Sequence, residues 1–187
     1  FKIQNIYSFE PIKDNLDQLK SKLKLLMKKY PNCSFVLENK ALGSSSKKLL
    51  IKKMVESSSS TIRELNLNSK YLNKKKKLLY SGKQNFFENI EVEQITLDSY
   101  LENKVIRKID FLKIDTEGYE LEVLMGLNKN INKLGIVMFE HHYHDMIKKN
   151  YTFTDIHKFL TNHNFKKIYK SKMPFRKTFE YIYEKEK

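Results

Sequence analysis

Apolar positions along the chain fall into short blocks, and the spacing within each block names an element. Residues 3–9 form an apolar run of strand length. It ends at Glu10 and Pro11, and proline suits a first helical turn. Leu16, Leu19, Leu23 and Leu26 then recur at spacings of three and four, while Lys20, Lys22, Lys24, Lys28 and Lys29 mostly fill the other faces. This pattern predicts an amphipathic helix, ended by Tyr30-Pro31. Residues 33–38 read as a second strand, with Cys33 as a core residue, and residues 49–55 as a third. A serine run at 57–60 and a lysine run at 74–77 follow. We expect 56–85 to be a flexible insertion and the lysine run a solvated loop.

Alternation returns at 90–96, with Ile90, Val92 and Gln94 on one face and Glu91, Glu93 and Ile95 on the other. A helix over 97–102, a strand over 109–114, a turn at Asp115-Thr-Glu-Gly118 and a helix over 119–127 complete the middle of the chain. Residues 135–140 are a buried strand, and Thr152-x-x-Asp155 resembles a capping box opening a helix over 153–163. His157 and His163 on that helix are expected to face solvent. Strands over 165–170 and 178–184 end the series. Alternating strands and helices predict an α/β fold with a mainly parallel sheet. The last two strands, separated by a short turn, predict an antiparallel hairpin at one sheet edge. The 187 residues suit one domain over 1–187.

Composition narrows this picture. Phe (12) and Tyr (11) are plentiful enough for a core, which excludes a disordered chain despite 31% charged residues. One cysteine excludes a disulfide framework and fits a cytoplasmic location. No run approaches the roughly 20 apolar residues of a membrane span. The net charge of +14 could attract nucleic acid or another polyanion. Lysine is spread over nearly every segment, however, so we assign neither a nucleic-acid nor a membrane partner.

In an open α/β sheet, ligands bind beyond the carboxyl ends of the strands. Four predicted strands end on acids: at Glu10, at Glu38, at Asp115 and at Glu140. Glu10 could accept hydrogen bonds from both hydroxyls of a ribose, or it could be a helix-start acid favoured by the macrodipole. Asp115 could position a substrate, hold a metal, act as an acid/base, or cap the following helix. Glu117 and Glu120 fit the start of that helix without any chemistry. Glu140, His142 and His144 share one face of an extended strand. A base or substrate contact there is favoured over a metal, and no metal ligand is assigned.

The motifs Tyr7-Ser-Phe-Glu-Pro11, Ala41-Leu-Gly43, Ile95-Thr-Leu-Asp98, Lys113-Ile-Asp-Thr-Glu-Gly-Tyr-Glu-Leu-Glu-Val-Leu-Met-Gly126 and Phe139-Glu-His-His142 occur in this order. Together they resemble the FkbM-type methyltransferase family over roughly residues 3–145. The resemblance implies a Rossmann-like class I methyltransferase sheet with S-adenosylmethionine over its carboxyl edge. It implies ribose binding by Glu10, adenine contact near Ala41 and Leu42, and a methionine and acceptor side formed by Asp115 and Glu117. Asp115, Glu140 and His142 are the catalytic candidates. The implied outcome is O-methylation of a sugar or another small hydroxylated metabolite. The family opens with a strand and a glycine-rich turn, and no such turn precedes Glu10. The expectation is therefore an N-terminally truncated domain, inactive by itself. The rival readings are a basic module binding RNA or an anionic surface through the lysine run, and a non-catalytic scaffold of the same fold.

Overall fold

The computed structural model describes residues 2–54, 60–79, 87–102, 104–174 and 176–186. Its elements are β1 (Asn5–Phe9), α1 (Lys13–Lys29), β2 (Ser34–Glu38), β3 (Ala41–Leu42), β4 (Lys47–Met54), α2 (Lys70–Leu79), β5 (Phe87–Ile95), α3 (Leu97–Glu102), β6 (Ile109–Ile114), α4 (Glu120–Met125), β7 (Leu134–His142), α5 (Phe153–Asn162), β8 (Phe165–Lys172) and β9 (Thr178–Lys185). The architecture is mixed α/β, and the strands divide among three sheets ordered β1-β2, β3-β5-β4 and β6-β7-β9-β8.

Helices explain two of the three parallel pairs, β3 with β5 being the third. A parallel pair needs a long crossover, and α1 links β1 to β2 while α4 lies between β6 and β7. Where the chain folds back instead, pairing is antiparallel: β4 on β5, and β9 on both β7 and β8. The antiparallel C-terminal hairpin thus sits at one edge of the four-stranded sheet, as its short turn predicted. Three smaller sheets stand where the alternation suggested one mainly parallel sheet.

The main core lies on the face of that sheet where Ile114, Val137, Phe139, Tyr181 and Tyr183 are buried. Val123 and Leu124 from α4, and Ile156 and Leu160 from α5, close over it. Ile12, Ala41, Ile51 and Val92 form a second cluster, and Met54, Leu65, Leu72, Met146 and Ile147 a third.

Four local expectations are corrected. The lysine run lies in α2, not in a loop. Ser69 Oγ accepts from the Leu72 N–H (3.1 Å) at the helix start, and Leu72 is fully buried in the third cluster. An anchored apolar residue and a cap outweigh the charge run. Of the expected flexible insertion, 60–79 is folded in this way, while 55–59 and 80–86 lie outside the described residues. His157 is partly buried, with its Nδ1 2.9 Å from the Tyr183 hydroxyl and its ring stacked on Phe153. Cys33 precedes β2 and is partly exposed, not a core residue. Among the described residues no helix is long and apolar enough to cross a membrane.

Candidate active site

Strands β6 and β7 run parallel with Ile114 opposite Phe139, so Asp115 and Glu140 leave the same sheet edge side by side. The turn after β6 is conformationally unusual. Glu117 has φ +48° and Gly118 φ +93°, two successive residues in the left-handed half of conformational space. Such a position costs a non-glycine residue roughly 1–2 kcal/mol, so neighbours must hold it. They are present. Thr61 Oγ1 donates to the Glu117 carbonyl (2.8 Å), Arg63 Nε donates to the Gly118 carbonyl (3.0 Å), and the Gly118 N–H donates to the buried Glu120 carboxylate (2.8 Å). The Tyr151 hydroxyl also donates to Glu120. Held in this way, the turn brings Glu117 Oε2 to 3.1 Å from His142 Nε2.

Burial and charge set the proton affinities. Glu140 is raised above the usual carboxylate range, first by burial and then by the Asp115 charge, against the pull of Lys113 and His142. Burial alone would lower His142, but the hydrogen bond and charge of Glu117 outweigh it and raise the imidazole. Among the described residues no carboxylate hydrogen-bonds His141 or His144. Burial, reinforced by the Lys149 and His142 charges, pushes them down to about 3 and about 4. Of these three imidazoles only His142 has its proton affinity raised, and the His142 and His144 rings meet edge to face at 5.0 Å. Lys113 lies 3.0 Å from Asp115 Oδ2. Burial opposes its charge, but Asp115, Glu140 and Glu180 together raise it.

The second group of predicted residues sits apart. Glu10 Oε1 accepts from the Ile12 N–H (2.8 Å) at the entrance to α1, which is the helix-start role weighed above. Burial raises its carboxyl, opposed by hydrogen bonds from Ile12 and Asn15. Ile12 packs in the cluster that contains Ala41, so Ala41 is buried among apolar side chains. Leu42 is half-buried against the main core. Glu38 lies opposite Phe9 in the β1–β2 register and accepts from the Tyr100 hydroxyl (2.9 Å). Among the described residues no hydrogen bond or ion pair joins Glu10 to the Asp115 group. Nor do any three or more His, Cys, Asp or Glu among them come together to hold a metal ion.

These sheet-edge acids occur within a domain that known proteins share. A family model described as the methyltransferase FkbM domain matches residues 2–167. The chain belongs to the FkbM methyltransferase family. No curated protein and no solved structure matches it. The matched range of this FkbM domain takes in both groups of site residues and stops within β8.

Several residues beside this candidate site were not singled out from the sequence. Glu180 lies opposite Glu140 in the β7–β9 register, beyond the matched range, and adds its charge to those of Asp115 and Glu140 acting on Lys113. Its signal was available, because a hairpin strand paired antiparallel to β7 must set some residue opposite Glu140. Arg63 and Lys149 carry no local signal. Arg63 pairs with Glu122 and lies over the Tyr119 ring, 4.9 Å from its centroid. The Lys149 ammonium donates to the His142 carbonyl and lies 3.4 Å from His141 Nε2.

Proposed function

We propose that this FkbM-family chain methylates a hydroxyl of a sugar or another small hydroxylated metabolite. The methyl donor in this reading is S-adenosylmethionine. The supporting observation is the convergence of Asp115, Glu117, Glu140 and His142 at the carboxyl ends of two neighbouring parallel strands, where α/β sheets bind ligands.

The residues present fit part of the donor. Glu10 is a partly buried carboxylate at a strand end, and with one oxygen on the Ile12 N–H it keeps acceptor capacity for ribose hydroxyls. Leu42 is the apolar surface for the adenine, with Ala41 supporting the strand from the core side. Asp115 and Glu117 face the methionine and acceptor side. None of the five glycines, Gly43, Gly82, Gly118, Gly126 and Gly135, precedes Glu10.

The donor supplies a sulfonium-bound methyl that needs no further activation. The protein's task is alignment of the acceptor oxygen and removal of its proton. Glu140, raised by burial and Asp115, is a carboxylate suited to take that proton. Glu117 orients His142 through Nε2, so His142 can pass charge or hold the acceptor. Lys113 limits the repulsion among Asp115, Glu140 and Glu180. Acting on a soluble donor, the protein would work in the cytoplasm.

The test is transfer of a radiolabelled methyl group from S-adenosylmethionine to a panel of sugars and hydroxylated metabolites. Glu140→Gln should lower kcat by about 10²-fold or more with donor affinity unchanged. Full activity in Glu140→Gln, Asp115→Asn and His142→Gln alike would remove the proposed proton acceptors.

A further inference from the structure

Beside the acid cluster lies a groove of opposite charge. Its volume is ≈ 410 Å³, and Arg63, Glu64, Tyr119, Lys148 and Lys149 are among its lining residues. That is the scale of a small-molecule site. Three cations and one carboxylate face it, and Glu64 is itself tied to Lys148 at 3.2 Å, with both side chains largely exposed.

The two inner cations are built into the fold. Arg63 is mostly buried, paired with Glu122 and placed over the Tyr119 and Tyr151 rings, 4.9 Å and 5.7 Å from their centroids. Stacking fixes a guanidinium plane while leaving N–H groups at its rim to donate. Lys149 differs from most lysines of this chain in being partly buried, and among the described residues no carboxylate lies within ion-pair distance of it. Its ammonium meets the His142 carbonyl and the neutral His141 Nε2, while the buried Glu120 and Glu117 act on it only through space. An ammonium has three donors, and those two contacts leave one. A desolvated cation with a spare donor, lining an open groove, is a strong site for an anionic oxygen.

The groove also touches the proposed reaction site. Lys149 holds the His142 carbonyl, and Arg63 holds the Gly118 carbonyl of the turn that carries Glu117. We propose that the groove lined by Arg63, Tyr119, Lys148 and Lys149 binds a carboxylate or phosphate of the methyl acceptor, so that the acceptor is an acidic or phosphorylated hydroxyl compound. Its assignment to the acceptor rests on the methyltransferase reading; the anion site itself does not. Bound there, the anion neutralises Lys149 and holds the acceptor beside the His142 and Glu140 edge.

The test reads binding without any methyl donor. Inorganic phosphate, acetate and neutral glucose are titrated into the ¹⁵N-labelled protein, with the Arg63, Tyr119 and Lys149 amide signals followed by NMR. Phosphate or acetate should give saturable shifts at these amides and glucose none, and the tighter anion names the group. Lys149→Met, which keeps the stem and removes the charge, should weaken that anion about tenfold. Circular dichroism checks its folding, and Lys148→Met, at an exposed position, should weaken binding several-fold even if Lys149→Met fails to fold. No saturable shift with either anion, or unchanged affinity in the folded variants, overturns the site. Anion binding without methyl transfer would sink the function proposed above and leave the site standing. Methyl transfer without anion binding would do the reverse.

Discussion

Replacing Gly126 by alanine should destabilise this protein even though the backbone there is ordinary. Gly126 closes α4 with φ −73° and ψ −6°, which any residue adopts. On conformational grounds alone, alanine would therefore stabilise the fold by about 0.4–1 kcal/mol through the unfolded chain. Contact geometry reverses the sign. A Cβ at 126 would lie 2.1 Å from the Gly43 carbonyl oxygen and 3.0 Å from its carbon. Both are backbone atoms, so no rotamer change relieves them. Gly43 cannot retreat easily, because its N–H is bonded to the Ile95 carbonyl (3.0 Å), and Gly126 is tied by its own carbonyl to the Asp98 N–H (2.8 Å). Overpacking of this kind costs typically 1–3 kcal/mol, and backbone on both sides places it at the upper end. After the entropic gain, a net loss of about 2 kcal/mol remains, or about 4–8 °C in Tm for a chain of this size. Gly135→Ala is the internal control, because its nearest atom, the Asp110 carbonyl oxygen, would be 3.2 Å away and needs to give only slightly. Thermal melts of the two variants followed by circular dichroism make the comparison. A Gly126→Ala protein melting at or above the wild type would refute the idea that the end of α4 is locked against Gly43.

Further outcomes follow from the site. Glu10→Ala should weaken S-adenosylmethionine binding by about tenfold if the carboxylate serves ribose hydroxyls, and calorimetry giving equal affinities would leave Glu10 only its bond to Ile12. Tyr151→Phe removes a donor from the fully buried Glu120, which keeps the Gly118 N–H, and should cost about 1–3 kcal/mol in urea unfolding; a cost near zero would mean that Glu120 finds another partner. His141 and His144 are held neutral with folded values of about 3 and about 4, below the ordinary 6.5, so the stability they contribute is present above 6.5 and is lost as pH falls through that window. His141→Phe should therefore flatten the decline of Tm between pH 6.5 and pH 4, and an unchanged slope would show that His141 is not the source. His142 has the opposite sign. Its folded value is raised, so its stabilisation is full below 6.5 and fades as pH rises through the folded value, and Glu117→Gln should abolish that fading.

How far the sequence could be read follows from the range of each interaction. Strands, helices and the capping box at Thr152 depend on periodicity and on contacts within a few residues, so they emerged close to their observed bounds; the Thr152 N–H does reach Asp155 at 2.7 Å. The Asp115–Glu140 edge was also legible, because strand ends on adjacent parallel strands are set by the sheet itself. The α2 helix was not. The lysine run dominates its composition, whereas its anchors, Leu72 in a cluster with Met146 and Ser69 on Asp145 (2.6 Å), lie more than 70 residues away in the chain. The same distance hid Arg63 and Lys149. Arg63 acts on a turn 55 residues further along the chain, and nothing near either residue marks it as different from the other 34 lysines and arginines. That contrast bears on the chemistry. Asp115 and Glu140 are announced by strand ends and Lys113 by its place in β6, but Arg63 and Lys149 arrive from irregular segments, where position is decided by tertiary packing. A variant that disturbs the Thr61–Arg63 segment should therefore alter the Glu117 turn without touching any predicted site residue. Thr61→Val tests this by removing the hydroxyl that holds the Glu117 carbonyl while preserving shape. With Glu117 less firmly placed against His142, the His142 titration followed by NMR should move back toward 6.5, and an unmoved titration would show that the turn holds its strained geometry without Thr61.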